Sequence, residues 1–160
     1  MLVMVTFRPP NPDSEKNNMP TPSTIKDCMR RNPLTINCND NLAQAVETLV
    51  EYKLTGVTVV DDEGQPVGVL SEIDCIKTVL NAIYNEGDTE FALVQDIMTQ
   101  DINSCAPGDS IVEVAADMLA TRQRRRPVIE NGRLVGQVSS SNILWALMEN
   151  SRRRVHTKSP

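Results

Sequence analysis

Apolar residues along this chain of 160 fall into two matching series. Leu42, Ala45, Val46 and Leu49 follow the i, i+3, i+4, i+7 spacing that gathers side chains on one helical face, and so do Ile111, Val114, Ala115 and Met118. Asp40 and Asp109 stand before these helices as expected N-caps, and Ser110 with Glu113 has capping-box spacing. A short extended piece precedes each helix, at residues 34–37 and 102–105. Two strands follow the first helix, at 57–61 and 66–70, around the turn Asp62-Glu63-Gly64. Their counterparts are 127–130 and 134–138, around the hairpin pair Asn131-Gly132. A second helix closes each series, at 72 to about 84 and 140 to about 149. The predicted order is β-α-β-β-α, twice.

The two series are copies. At an offset of 69, Asp27 falls on Asp96, Met29 on Met98, Asp40 on Asp109 and Val59 on Val128. The hairpin of the second copy is one residue shorter, so the offset becomes 68 and Gly64, Val67, Gly68 and Ser71 fall on Gly132, Val135, Gly136 and Ser139. Two copies are too few for a solenoid and predict a pseudo-two-fold pair. The expected organisation is a flexible, proline-rich leader (1–23), a first unit (24–84), a polar connector (85–93), a second unit (94–150) and a basic tail (151–160).

Composition narrows the classes. With 40% hydrophobic and 23% charged residues the chain reads as a globular protein, and the repeated β-α-β-β-α order makes it α/β (α+β). It has no apolar run of membrane-spanning length, and its apolar start, Met1 to Val5, is too short for a signal-peptide core, so a cytoplasmic location is expected. Cys28, Cys38, Cys75 and Cys105 lie far apart, and the single histidine, His156, sits near the end. Reduced structural thiols are expected rather than a zinc site or a Cys-His nucleophile. The sequence offers no nucleophile-base pair and no P-loop, so no catalytic residues and no required cofactor are expected.

The net charge of −5 hides a division. Up to Thr121 there are 7 Lys and Arg against 19 Asp and Glu; from Arg122 onward there are 9 against 2. The overall acidity speaks against nucleic-acid binding. The division suggests an anion site where the halves meet.

Ile25-Lys26-Asp27-Cys28-Met29 and Val94-Gln95-Asp96-Ile97-Met98 open the two copies. Gly56-Val57-Thr58-Val59-Val60-Asp61 matches Arg125-Arg126-Pro127-Val128-Ile129-Glu130, and the stretches Pro66 to Asp74 and Leu134 to Asn142 carry a Gly-hydrophobic-hydrophobic-Ser-x-x-Asp/Asn pattern. In this order, twice over, the motifs resemble a tandem pair of cystathionine-β-synthase (CBS) domains, a Bateman module, of the stand-alone bacterial type. The resemblance implies two units packed sheet to sheet, a homodimer, and a cleft that takes an adenine nucleotide such as AMP, ADP or ATP. It implies regulation of an unidentified partner protein rather than chemistry.

The resemblance also assigns residues. Asp74 matches the family's ribose-binding aspartate and Ser71 its hydroxyl three residues earlier, although Ser71-x-x-Asp74 is equally a capping box. Asn142 stands in the second copy. An amide has one accepting head where a carboxylate has two, so this half-site should be weaker. Arg124 and Arg125 match phosphate-binding positions whose first-copy equivalents, Thr55 and Gly56, are uncharged; taken alone, the run from Gln123 to Arg126 reads as a solvated basic turn. The family's cross-unit geometry would place Asp74 with Arg124 and Arg125 in one competent cleft, leaving the Asn142 cleft weak or empty. The base would meet Val57, Thr58 and the Asn103-Ser104 stretch. Trp145 is expected in the core or a dimer interface. The alternative is a dimerisation or docking module that acts without ligand.

Overall fold

The structure is a computed structural model that describes the backbone of residues 21–87 and 92–157, with side chains through Arg154. Most of the expected leader, residues 88–91 of the connector, the His156 side chain and the last three residues lie outside the described residues.

Two three-stranded sheets carry the fold. In the first, β2 (Thr35–Asn37) runs parallel to β3 (Gly56–Val60), which pairs antiparallel with β4 (Pro66–Ser71). In the second, β6 (Arg133–Ser139) lies antiparallel between β5 (Arg125–Glu130) and the two-residue β1 (Arg30–Arg31). The helices are α1 (Leu42–Glu51), α2 (Glu72–Tyr84), the single turn α3 (Val94–Ile97), α4 (Ile111–Thr121) and α5 (Ser140–Thr157). Both apolar stripes face inward as their spacing predicts. Leu42, Ala45 and Leu49 are buried on α1, and Ile111, Val114 and Met118 on α4. Among the described residues no helix is long and apolar enough to cross a membrane.

Several local expectations are corrected. Asp40 and Asp109 are not the caps of α1 and α4. Asn41 caps α1 by accepting from Gln44 N at 2.9 Å, and Ser110 caps α4 by accepting from Glu113 N at 3.4 Å. The aspartates turn backward instead and accept from Asn37 N and Ala106 N, at 3.2 and 2.8 Å, which closes the preceding turn. The extended piece at 102–105 shrinks to one bridge, Cys105 to Val128. Residues 21–23 are tied down: Arg153 donates to Thr21 Oγ1, Asn150 to Pro22 O, and Ile111 N to Ser23 O. Helix α5 runs on to Thr157, so the described part of the basic tail is helical. No glycine or proline stops it before Pro160, and Arg152 pairs with Glu149 one turn back at 3.6 Å.

The copies exchange their opening segments. Ile25 N donates to Asp109 O at 3.0 Å, and its repeat equivalent Val94 N donates to Asp40 O at 2.8 Å. After each contact the chain continues along the other copy's hairpin. Arg30 pairs with Gln137 on β6, and Thr99 bridges Val69 on β4. Ile25, fully buried, therefore shares a core with Val128 and Val138, and Val94 shares one with Val59 and Leu70. Glycine is required where the exchanged segments cross. A Cβ on Gly136 would lie 2.8 Å from Arg30 O and 2.9 Å from Met29 Sδ, and one on Gly68 would lie 2.6 Å from Met98 Sδ.

All four cysteines are free thiols, with Cys75 and Cys105 buried. Burial pushes the thiols of Cys28 and Cys105 up to about 11, the first helped by the neighbouring Asp27 carboxylate.

Two outcomes follow for stability. Gly136→Ala and Gly68→Ala should each cost about 1–3 kcal/mol through overpacking, lowering Tm by several degrees. Gly108→Ala, with open space around it, should leave Tm within about a degree. The thiols set a pH dependence. The unfolded chain loses these protons near pH 9 while the folded chain holds them to about 11, so thiol-linked stability is intact below pH 9 and falls as pH rises between the two. Urea unfolding at pH 8 and pH 10.5 should show this loss, and the Cys28→Ala/Cys105→Ala variant should lose less over the same interval.

Candidate functional site

The site begins where β4 gives way to α2. Ser71 is the cap: its Oγ accepts from Asp74 N at 3.1 Å, while Asp74 Oδ2 accepts from Ser71 N at 3.0 Å and from Ser71 Oγ at 2.7 Å. The capping box is therefore real and contributes about 1 kcal/mol to the helix start. It also fixes the carboxylate. Both bonds to the carboxylate use Oδ2, so Oδ1 stays a pure acceptor on a half-buried side chain.

The second copy builds the same box from different atoms. Ser139 N donates to Asn142 Oδ1 at 3.1 Å, and Asn142 N to Ser139 Oγ at 3.2 Å. A backbone N–H can only donate, so the amide oxygen must face it and Nδ2 points away. The difference is sharper than one fewer acceptor. Asp74 offers an acceptor to a ligand hydroxyl, whereas Asn142 offers a donor.

Arg125 crosses from the second copy to the first. Its Nη1 donates to Gly56 O at 3.3 Å, 69 positions away, which is the repeat offset itself. Gly56 is the register partner of Ser71 across β3 and β4. The guanidinium thus reaches the strand beside the Ser71–Asp74 box. Arg124 is exposed in the approach to β5, and its carbonyl accepts from Ser140 N at 2.8 Å. Gly56, at the position equivalent to Arg125, returns no side chain to the opposite cleft. The contact therefore runs one way, from the second copy to the first.

The arginine run is not a solvated basic turn. Arg125 and Arg126 are strand residues, and Arg126 is 3% exposed. Its guanidinium meets the Asp117 carboxylate at 2.6 Å and donates to Gln123 Oε1 at 2.7 Å. Sequence reasoning missed this role. The available signal was Asp117, Thr121, Gln123 and Arg126 standing where the first copy has Thr48, Tyr52, Leu54 and Val57.

The remaining candidates sit differently. Val57 and Thr58 are each 3% exposed within β3, so they present backbone rather than side-chain surface. Ser104 is exposed beside the Cys105 bridge, and among the described residues no hydrogen bond links it to Asp74 or Arg125. Trp145 is 41% exposed on α5. A cavity of about 570 Å³ opens between α1 and α2, with Leu49, Val50, Ile76, Val79 and Leu80 among its walls and Thr55 and Glu72, the neighbours of Gly56 and Ser71, also lining it. These walls suit apolar contact, not a phosphate.

Two sheets of tandem origin with exchanged openings and paired Ser-x-x-Asp/Asn boxes define a two-unit module. The chain belongs to the CBS domain family: the family model matches residues 25–81 and 94–149. Among its relatives is the uncharacterized protein MJ1225 of Methanocaldococcus jannaschii, 30% identical over 123 residues, covering 77% of this chain and 42% of that protein. It also matches a homoserine O-acetyltransferase of Methanosphaera stadtmanae at 25% identity, spanning 24% of that protein. The chain thus spans less than half of either. The crystal structure of CBSX2 in complex with AMP superposes with a TM-score of 0.70 at 28% identity, over 81% of this chain and 98% of that one. The CBS-domain protein ATU1752 of Agrobacterium tumefaciens gives 0.67 at 26% identity, over 78% and 93%.

Proposed function

We propose that this chain is a regulatory CBS pair that binds an adenosine nucleotide of the AMP, ADP or ATP type in one cleft and passes the bound state to a partner protein. The observation that carries the reading is the Arg125 contact with Gly56 O, which brings a cation of one copy to the strand beside the Ser71–Asp74 box of the other. A nucleotide needs that pairing: Asp74 Oδ1 accepts from a ribose hydroxyl, and Arg124 and Arg125 supply forked donors to phosphate oxygens. Val57, Thr58 and Ser104 border the base. The AMP complex of CBSX2, a protein similar over most of this chain, supports the ligand class. The role is sensing, not catalysis, in a cytoplasmic setting.

The second part of the reading is a homodimer. Val50, Ile83, Leu119 and Leu144 are 71%, 65%, 81% and 61% exposed on α1, α2, α4 and α5. Apolar surface on this scale fits a covered face better than a solvated one, and Val50 also lines the apolar cavity between α1 and α2. A second copy covers it.

Thermal melting tests the ligand. AMP at one hundred times its Kd should stabilise the protein by about 2.7 kcal/mol. Asp74→Ala should abolish the ligand-induced shift, and Asn142→Ala should leave it near the wild-type value. Flat melting curves with AMP, ADP and ATP at millimolar concentration would overturn the reading. Light scattering after size exclusion tests the dimer: the wild type should run at twice the chain mass and Leu119→Glu/Leu144→Glu at the chain mass. A wild-type monomer at high micromolar concentration would contradict it.

A further inference from the structure

Arg126 occupies the strand position that Val57 fills in the first copy, paired with Val138 as Val57 is paired with Leu70. Its side chain is 4% exposed. Nη2 meets Asp117 Oδ2 at 2.6 Å and donates to Gln123 Oε1 at 2.7 Å, Nε donates to the same oxygen at 3.2 Å, and Thr121 Oγ1 lies 3.5 Å from Nη2. One guanidinium therefore joins the last turn of α4, the loop after it and the start of β5.

The first copy shows that the fold does not require this. There the four equivalent positions are Thr48, Tyr52, Leu54 and Val57, with Leu54 and Val57 packed into the core. The backbone is nonetheless the same. Leu54 N donates to Leu49 O and Glu72 N to Thr55 O, at 2.9 and 3.0 Å. Gln123 N and Ser140 N make the matching bonds to Met118 O and Arg124 O, at 3.0 and 2.8 Å. Lys53 and Arg122 even share the left-handed conformation, with φ of 53° and 55°. Burying a guanidinium against a half-exposed carboxylate where apolar packing suffices adds little to stability, but its hydrogen bonds fix direction in a way apolar contacts do not. The four substituted residues converge on the one loop that carries Arg124 and leads into Arg125.

We propose that Arg126 is a positioning residue: tied to Asp117, Thr121 and Gln123, it holds the 122–124 loop and the start of β5 rigid so that Arg124 and Arg125 present their guanidinium groups to the cleft. What the loop binds rests on the nucleotide reading above; the clamp itself does not.

The test transplants the first copy's set as Asp117→Thr, Thr121→Tyr, Gln123→Leu and Arg126→Val in the full chain. Amide hydrogen exchange reads the clamp without ligand. Exchange at residues 122–126 should rise about tenfold or more while β3 and β6 keep their protection. Calorimetry with AMP and with adenosine reads its consequence. The AMP affinity should fall about tenfold and the adenosine affinity stay within about twofold, because adenosine lacks the phosphate. Unchanged exchange in the folded variant would overturn the clamp, and so would a parallel loss for both ligands. If the wild type binds neither ligand, the nucleotide reading falls and the exchange result alone decides the clamp. Should the fourfold variant not fold, Asp117→Asn, which alters a half-exposed carboxylate, is read by the same two measurements with the same criteria.

Discussion

The exchange of opening segments is the constraint on which the rest of the molecule depends. Ile25 and Val94 each leave their own copy, bond to the turn before the other copy's first helix, and fill the other copy's core. The bonds recur at equivalent positions. Lys26 N reaches Pro107 O as Gln95 N reaches Cys38 O, and Ile111 N reaches Ser23 O as Leu42 N reaches Ala92 O. Neither core is complete from one contiguous repeat. The two sheets are therefore held in one relation, and residues a full repeat apart, such as Gly56 and Arg125, come to lie together.

On that symmetric frame the functional features are asymmetric, and the asymmetry lies in side chains rather than backbone. Both copies have the Ser-capped helix, yet one box points a carboxylate oxygen outward and the other an amide nitrogen. Both have a left-handed residue shortly before the first strand of the hairpin, yet one is followed by Leu54, Thr55 and Gly56 and the other by Gln123, Arg124 and Arg125. Under the proposed nucleotide reading, substitution equips one of two pseudo-symmetric clefts for an anion with hydroxyls. The negative first three quarters and positive last quarter of the chain are the compositional trace of that division.

Much of this was legible in the sequence because it depends on local periodicity and on the repeat. The apolar stripes of α1 and α4, the Asn131-Gly132 turn, the Ser71–Asp74 spacing and the pairing of copies all follow from spacing rules. What was not legible depends on contacts distant in sequence. Asp40 looks like a cap, but Asn41 beside it takes the Gln44 N–H and leaves Asp40 to serve the preceding turn. Ile25 and Val94 look like the starts of their own units, and only three-dimensional packing reveals the exchange. Arg126 reads as one of a basic run, and its burial against Asp117 depends on the helix being laid across the strand. The extension of α5 needed contacts with residues 21 and 22, which lie 132 and 128 positions from their partners.

The proposed nucleotide site occupies one of the two clefts only. Isothermal titration calorimetry with AMP measures this most directly, because it counts sites. The account predicts a single saturable site per chain, lost in Asp74→Ala. Two equivalent sites per chain, or binding that survives in Asp74→Ala, would contradict it.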